Sequence, residues 1–593
     1  MNWFMKYKKD NHDALKEVAG LSQIERVLLA NRDIASADEA ERFLNPILEN
    51  MHDPFLFKDM HKAIDLIMEV LSSEESIRIV GDYDQDGVAA TTILVRGLRQ
   101  FAEEVGRDPM AAVDYAIPDR IEDGYGINEK IIKEAADDGI GLIITCDNGI
   151  SAHEAVAYGK ELGLSIIITD HHQVTHENGE EKLPPADAIL NPHSENSGYP
   201  FADLCGAGVA YKLIQAFAFS IGVTAEETLP LMQFAALGTI CDVVPLIGEN
   251  RIIAKLGLDE LNARPKQGVQ LLLDLNNWEK DVSVYTVGFI IGPCINASGR
   301  LFTARLGVEL FLEEDYDTAL AYAEELVTLN EERKEMTKLG TELAFTEADK
   351  YQDSNILLLY IKEAHESICG LIAGRLKEKF YKPTLVFTDA SDEDNQEILK
   401  GSGRSIEAYN MFEELDPHRD RFISFGGHAM ACGLSIPKEI LDELRVLLNQ
   451  EEQLSAQDLT PSVDFDLPLD LDRLDMFLLK SLDRFAPFGK DNPTPSFAAK
   501  FCNVRQLRLV GKNKNVLQIA LEQKGRRFQA VLFQGDEKLE ELIAEDNTGA
   551  VEDLLQGRDS GLQFDIVYRP EINEFRGNTS IQLKLIDVRL SKR

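Results

Sequence analysis

The sequence predicts an α/β protein in which two α/β lobes are joined by a long helix and followed by a small β-barrel. Three observations carry that expectation. Between residues 76 and 246, short β-branched runs alternate with amphipathic helical stretches, the pattern of strands that cross to parallel neighbours through helices. Between residues 303 and 353 the pattern becomes a long Leu-, Ala- and charge-rich stretch whose acids and bases can pair along an exposed helical face. From residue 462 onward, apart from 469–485, short runs are broken by turn sequences such as Lys512-Asn513-Lys514-Asn515 and Arg576-Gly577-Asn578.

Taken in order, residues 1–70 read as an N-terminal helical segment leading into the first strand, with Ser36 and Asp38 as caps for the stretch that ends at Phe43. Residues 71–302 read as the first α/β domain. Its clearest strands are Ile77-Arg78-Ile79-Val80, Leu142-Ile143-Ile144-Thr145 and Ile166-Ile167-Ile168-Thr169. Residues 303–353 are connecting helix, without a glycine-rich break before Gly340. A second α/β domain covers 354–455, with a strand at 356–360 and a helix around 372–380. The remainder, 456–593, fits an OB-type barrel by its length and its short strands.

Composition narrows the class. With 44% hydrophobic and 27% charged residues, most of the chain is expected to fold as an ordinary globular protein. The seven cysteines form no C-x-x-C pair and mostly sit in apolar runs, which suits buried reduced thiols and speaks against a structural zinc site. No apolar run reaches the roughly 18 residues a membrane span requires, so a cytoplasmic protein without a membrane partner is expected. The formal charge of -41 argues against indiscriminate coating of nucleic acid. It does not exclude a local positive groove, and a sharply uneven charge distribution is predicted.

The most informative feature is that three predicted strands run directly into acids or histidines. Val80 is followed by Gly81-Asp82-Tyr83-Asp84-Gln85-Asp86-Gly87, Thr145 by Cys146-Asp147-Asn148-Gly149, and Thr169 by Asp170-His171-His172. In an open parallel sheet the carboxyl ends of the strands line the ligand crevice, so these groups should converge there. Asp242, beyond an apolar helix in Gly238-Thr239-Ile240-Cys241-Asp242, can reach the same place. A lone aspartate is more often a loop or helix cap, but so many acids together would be costly unless cations neutralised them. Oxygen donors with imidazole suit Mn²⁺ or Mg²⁺. Although Asp82-x-Asp84-x-Asp86-Gly87 opens like a calcium-binding helix–loop–helix, the twelfth position, which there must be a bidentate Glu, is Ile93.

These motifs, in this order, resemble those of the DHH-family phosphoesterases. Gly401-Ser402-Gly403-Arg404-Ser405 and Gly426-Gly427-His428-Ala429-Met430-Ala431-Cys432-Gly433 are similar to the associated DHHA1 domain. With Asn296-Ala297-Ser298-Gly299-Arg300 and the segment Pro487-Phe488-Gly489-Lys490-Asp491-Asn492-Pro493, the resemblance to the RecJ branch covers nearly the whole chain. Small DHH phosphatases carry a histidine four residues before the first metal-binding aspartate, where this chain has Val80.

The resemblance implies a 5′→3′ exonuclease of single-stranded DNA acting in repair and recombination. It implies two ions of Mn²⁺ or Mg²⁺, with Asp84 and Asp86 each holding one, Asp147 bridging, and His171 and Asp242 completing the second site. Asp82 and His172 would lie behind the ligands or near the scissile phosphate. Arg120, Ser402 and Arg404 are candidates for the terminal 5′ phosphate, because guanidinium forks and a hydroxyl suit its oxygens. Arg300 is a candidate contact to the scissile phosphate, and His428 is either a substrate contact or a packed core imidazole. In the barrel, Lys512, Lys514, Arg526, Arg527 and Phe528 are candidates for holding the strand by charge and stacking. A monomer assisted by a helicase and a single-strand-binding protein is expected. Two other readings stay open: a relative that cleaves short oligoribonucleotides or nucleotide phosphates, and a non-catalytic replication scaffold.

Overall fold

The computed structural model describes residues 1–16, 18–119, 126–390, 397–546, 548–575 and 577–592. They form two compact units, one of residues 51–244 and 252–460, the other of residues 1–50, 245–251 and 461–593.

The first unit contains both α/β lobes. In the first lobe five parallel strands lie in the order Val113–Ala116, Ser76–Val80, Ile140–Cys146, Ser165–Thr169, Ala188–Leu190. Numbered along the chain this is 2-1-3-4-5, so the direction of winding reverses between Ser76–Val80 and Ile140–Cys146, and a crevice opens at that switch point. The strands are Ile- and Val-rich because helices cover the sheet, leaving Ile77, Ile79, Ile143, Ile144, Ile166 and Ile168 without exposed surface. Helices Glu129–Asp137 and His153–Glu161 cover one face through Ile131, Ile132 and Val156. The nearly all-buried helix Gln85–Glu104 packs on Gly206–Ser220 and Ala225–Cys241.

The expected connecting helix is Tyr316–Ala348, 33 residues long, with Asp315 accepting from the Thr318 N–H as its N-cap. The second lobe is a mixed five-stranded sheet ordered Ser424–His428, Ala431–Pro437, Ile398–Arg404, Thr384–Asp389, Leu357–Tyr360. The helix expected around 372–380 is Cys369–Phe380.

In the second unit, strands Phe497–Val510, Val516–Gln523, Arg526–Phe533, Asn578–Leu590 and Gln563–Phe575 pair in that order, and the last pairs back with the first. The ring closes into the expected OB-type barrel. The N-terminal expectation differs from what is found. Residues 1–50 do not stand with the first lobe but share the barrel's core, where Leu28, Leu29, Phe43 and Leu44 join Leu471, Phe485 and Phe497. Strand Asn2–Met5 pairs in parallel with Ser462–Phe465, and Ser36 caps helix Ala37–Leu44 in a reciprocal box with Glu39. The fully buried Arg251 stacks 4.0 Å over the Phe43 ring and donates to the carbonyls of Phe43, Arg484, Phe485 and Ala486. Asn492 donates to Phe485 and Pro487 and accepts from Arg32, so the 487–493 motif ties loops of this unit together.

Candidate active site

The strand ends and the helix terminus converge as the sequence predicts. His171 Nε2 lies 3.1 Å from Asp147 Oδ1, 3.8 Å from Asp86 Oδ2 and 3.8 Å from Asp242 Oδ2. Three overlapping sets of donors result: Asp82, Asp84 and Asp147; Asp86, His171 and Asp242; and Asp147, His171 and His172. Within each set one donor atom per residue lies within 4.8 Å of the others. Asp147 belongs to the first set and, 3.1 Å from His171, adjoins the second. Asp82, expected behind the ligands or near the scissile phosphate, lies with a donor atom within 4.8 Å of those of Asp84 and Asp147, as a ligand would.

Local backbone chemistry aims these groups. Asp84 is the N-cap of helix Gln85–Glu104, its Oδ1 accepting from the N–H groups of Asp86 and Gly87. Asp86 receives the N–H groups of Gly206 and Ala207 at 2.6 and 2.9 Å, at the start of helix Gly206–Ser220, where the dipole favours negative charge. Asp147 has φ of 62°, a left-handed conformation that a non-glycine residue adopts at a cost and that clusters at functional sites. A Cβ on Gly206 would fall 2.5 Å from the Asp147 Cβ, and one on Gly238 would fall 2.3 Å from Asp86 Oδ1, so both positions must lack a side chain for helices to approach the acids.

Charge accumulation shows in the titration of these groups. Burial, and then the neighbouring Asp86, raises Asp84 above the ordinary carboxyl range. Asp147 is raised well above it by burial and then by Asp86, Asp84 and Asp82. Burial holds His171 below the usual imidazole value, which suits a neutral ligand nitrogen. Oxygen donors, one neutral imidazole and excess negative charge fit a divalent cation.

Asp170 behaves differently; the sequence places it at a strand end but assigns it no role of its own. Its Oδ1 accepts from the His171 and His172 N–H groups and meets His172 Nδ1 at 2.7 Å, while Oδ2 accepts from Ile150. Burial pushes Asp170 upward, yet the hydrogen bond and charge of His172 prevail and leave it low. Burial pushes His172 down, but Asp170, Asp242 and Asp82 outweigh it and raise it to about 9. Asp170 is thus the bracket that orients His172. Asn296 was quoted only as part of a motif; its Oδ1 accepts from the Gln85 N–H, between Asp84 and Asp86.

Arg300 links the lobes. It ends helix Gly292–Leu301, where Gly299 lets the chain close on the Tyr83 carbonyl, and its Nη1 donates to the Ser367 carbonyl of the second lobe at 2.7 Å. There it enters a cavity of about 330 Å³ that Lys400, Ser402, Arg404 and Glu366 also line. Arg404 Nη1 donates to Ser402 Oγ and the Gly403 carbonyl, and burial lowers its pKa. The structure therefore brings Arg300, Ser402 and Arg404 together and adds Lys400. Arg120 lies outside the described residues. His428 is exposed on strand Ser424–His428, so it is not a core imidazole.

The barrel candidates need correction. Phe528 is 8% exposed and belongs to the barrel core, because alternation along Arg526–Phe533 turns it inward. Arg527 pairs with Glu522 at 2.5 Å, and Arg526 donates to the Leu474 carbonyl. Lys512 and Lys514 are exposed in the turn.

Residues 76–239 match the DHH family N-terminal domain, 353–453 the DHHA1 domain and 465–587 the RecJ OB domain. The single-stranded-DNA-specific exonuclease RecJ of Haemophilus influenzae is 34% identical over 582 residues, covering 94% of each chain. The chain belongs to the RecJ family. The crystal structure of Thermus thermophilus RecJ in complex with Mn²⁺ superposes with a TM-score of 0.79 at 23% identity, covering all of this chain and 80% of that one. An exonuclease RecJ bound to manganese is 30% identical, with a TM-score of 0.56, covering 68% of this chain and 96% of that one. No helix among the described residues of this RecJ-family chain is long and apolar enough to cross a membrane.

Proposed function

We propose that this chain is a two-metal exonuclease that removes 5′-mononucleotides from single-stranded DNA, 5′→3′, in repair and recombination. The observation that carries this reading is the meeting of His171 with Asp86, Asp147 and Asp242 within 3.1 to 3.8 Å, beside a cation-lined cavity joined to it by Arg300. Relatives named as single-stranded-DNA-specific exonucleases, one solved with manganese, support it.

In this reading Asp82, Asp84 and Asp147 would hold one Mn²⁺ or Mg²⁺, and Asp86, His171 and Asp242 would hold the other, with Asp147 close to both. Such ions would supply activation of water at neutral pH and charge stabilisation for an in-line displacement at phosphorus. The chain's own residues do the rest. Arg404, Ser402 and Lys400 bind the terminal 5′ phosphate, and Arg300 bridges from there to the scissile phosphate. His172, held protonated by Asp170, stands over the crevice to donate a proton or hydrogen bond to the substrate's phosphate. His428, exposed at the rim of the second lobe, adds a substrate contact, and Arg120 adds a further grip on the 5′ end. The enzyme acts in the cytoplasm as a monomer, with a helicase opening the duplex and a single-strand-binding protein presenting the strand.

The test is an oligonucleotide labelled at either end and incubated with Mn²⁺. Early release of the 5′-labelled mononucleotide, absent with duplex substrate and with Asp147→Ala, is the expected result. Early release from the 3′ label would overturn the polarity, and an active Asp147→Ala would overturn the site.

A further inference from the structure

The cavity beside Arg300 is not purely cationic. Its charged lining is Arg300, Lys400 and Arg404 against a single carboxylate, Glu366. Glu366 opens the short turn Glu366–Ile368 that leads into helix Cys369–Phe380, and its Oε1 lies 3.2 Å from Lys400 Nζ on strand Ile398–Arg404. Only 11% of its side chain is exposed, against 45% for Lys400, so the acid is set into the wall and is not a passing surface partner. Neutral acceptors aim the two arginines: Arg404 donates to Ser402 Oγ and the Gly403 carbonyl, and Arg300 to the Ser367 carbonyl.

Strand register explains how these groups come to share one wall. Lys400 stands opposite Ser435, and Ser435 opposite Ser424, while Ser402 stands opposite Gly433, and Gly433 opposite Gly426. Paired residues lie on the same face of a sheet, as do alternate residues along a strand, so Lys400, Ser402, Arg404, Ser424 and Ser435 all belong to one face. A Cβ on Gly426 or Gly433 would meet nothing within 4 Å, so the floor between the hydroxyls is open. Gly370, near the start of helix Cys369–Phe380, completes the lining and brings the positive end of a helix dipole to it.

Three cations and one carboxylate leave this lining a formal charge of +2. A phosphate monoester carries about -1.5 to -2 at neutral pH, whereas a hydroxyl end carries nothing and a triphosphate end carries more. Space does not choose among them, because at about 330 Å³ the cavity is within the range of small-molecule sites. We propose that Glu366 is a specificity-determining residue that matches this cavity to a 5′-monophosphate end and rejects a 5′-triphosphate end. This rests on the reading above in which the cavity takes the terminal phosphate. One phosphate group takes up the excess positive charge of the lining. Each further phosphoryl group then brings negative charge against a carboxylate with little exposed surface, where like charges repel more strongly than in water.

The test measures, by fluorescence anisotropy, the binding of 3′-labelled single strands that end in a 5′-hydroxyl, a 5′-monophosphate or a 5′-triphosphate. The full chain is used in EDTA, so that neither turnover nor chelation of the triphosphate by metal intervenes. The wild type should bind the monophosphate end at least about 10-fold more tightly than either of the others. In Glu366→Gln, which keeps an acceptor for Lys400, the preference for monophosphate over triphosphate should fall roughly 10-fold, whereas Glu366→Asp, which keeps the charge, should retain most of it. A role confined to holding Lys400 or the turn would weaken all three ends alike and leave their ratio unchanged. That result, or a wild type that takes triphosphate ends as well as monophosphate ends, overturns the role of Glu366 and leaves the exonuclease reading standing. Equal affinity of the wild type for hydroxyl and monophosphate ends would instead remove the terminal phosphate from the cavity, and the roles of Arg404, Ser402 and Glu366 would fall together.

Discussion

The crevice of the first lobe and the cavity of the second hold opposite charge only one arginine side chain apart. In the crevice Asp82, Asp86, Asp147 and Asp170 are almost wholly buried, and burial with mutual repulsion raises Asp84 and Asp147. In the cavity Arg404 is pushed the other way by burial, with Lys400 and Arg300 beside it. The two regions are unbalanced in opposite senses: the crevice gathers acids, while the cavity gathers three cations against one carboxylate, Glu366, which pairs with Lys400 at 3.2 Å. The difference explains how a chain with a formal charge of -41 can handle a polyanion. What matters is unlike charge concentrated in two adjoining places; in the reading proposed above, one binds phosphate directly and the other would do so only through bound metal.

Removing Asp147, the acid that the two-metal proposal places between both ions, should break the comparison most severely. Asp147→Ala is expected to lower kcat by about 10³-fold or more, because a residue acting as part of one catalytic unit takes most of the unit with it. The same substitution relieves repulsion in the metal-free protein, so its melting temperature without metal should rise by about 2 °C or more. Activity and apo stability moving in opposite directions is the signature of a site built for a bound cation. A variant that loses activity and also melts lower would mean that Asp147 serves the fold.

Chelation examines the same asymmetry in the wild type. Mn²⁺ should raise its melting temperature and EDTA should lower it, by linkage to the folded state. The metal-free protein should also lose stability as pH rises. With Asp84 and Asp147 raised, the native state keeps protons that the unfolded chain releases above about pH 4, so stability is present at low pH and falls as these groups ionise. Melting in EDTA between pH 5 and 8 measures the slope, and Asp147→Asn should flatten it. An equal slope in wild type and variant would place the repulsion elsewhere.

These features differ in how far they can be read from residue order. The acids are legible because each follows its strand directly, and parallel topology brings carboxyl ends together whatever the loops do. Which of Asp170, His171 and His172 turns toward the other acids is not legible from residue order alone; the family resemblance named His171, and His171 is the one that meets Asp86, Asp147 and Asp242. That orientation depends on Asp170 Oδ1 collecting the N–H groups of its two successors, a detail of one turn. Phe528 fails for a related reason: the period of a strand is two, so a one-residue change of phase separates a stacking surface from a core side chain. The shared core of residues 1–50 with Leu471 and Phe485 joins positions more than 400 apart in the chain, as Arg32 and Asn492 do at a separation of 460, and no local pattern announces it.

On the cation side, Arg404→Ala should raise KM for a 5′-phosphorylated strand about 10- to 100-fold, the scale of a lost charge-assisted contact to phosphate, with a smaller effect on a 5′-hydroxyl strand. Competition between the two substrates in one reaction reads this difference directly. Equal losses for both would mean that Arg404 supports the cavity through Ser402 and the Gly403 carbonyl, and the recognition of the end would then fall to Lys400.

The smallest effect is expected where cations are exposed but already engaged. Arg527 is 74% exposed at its side chain and lies 2.5 Å from Glu522, which Arg505 also approaches at 3.3 Å. An exposed pair of this kind contributes little, and a phosphate would have to displace Glu522 before Arg527 could bind it. Arg527→Ala should therefore change the affinity for a single strand by less than about twofold, whereas Lys512→Ala and Lys514→Ala together should lower the salt dependence of binding if the barrel turn touches the backbone. Titration by fluorescence anisotropy at two salt concentrations separates the cases. A large loss in Arg527→Ala would show that the pair with Glu522 opens on contact with DNA, making the barrel a second region where local positive charge is unmasked by the substrate.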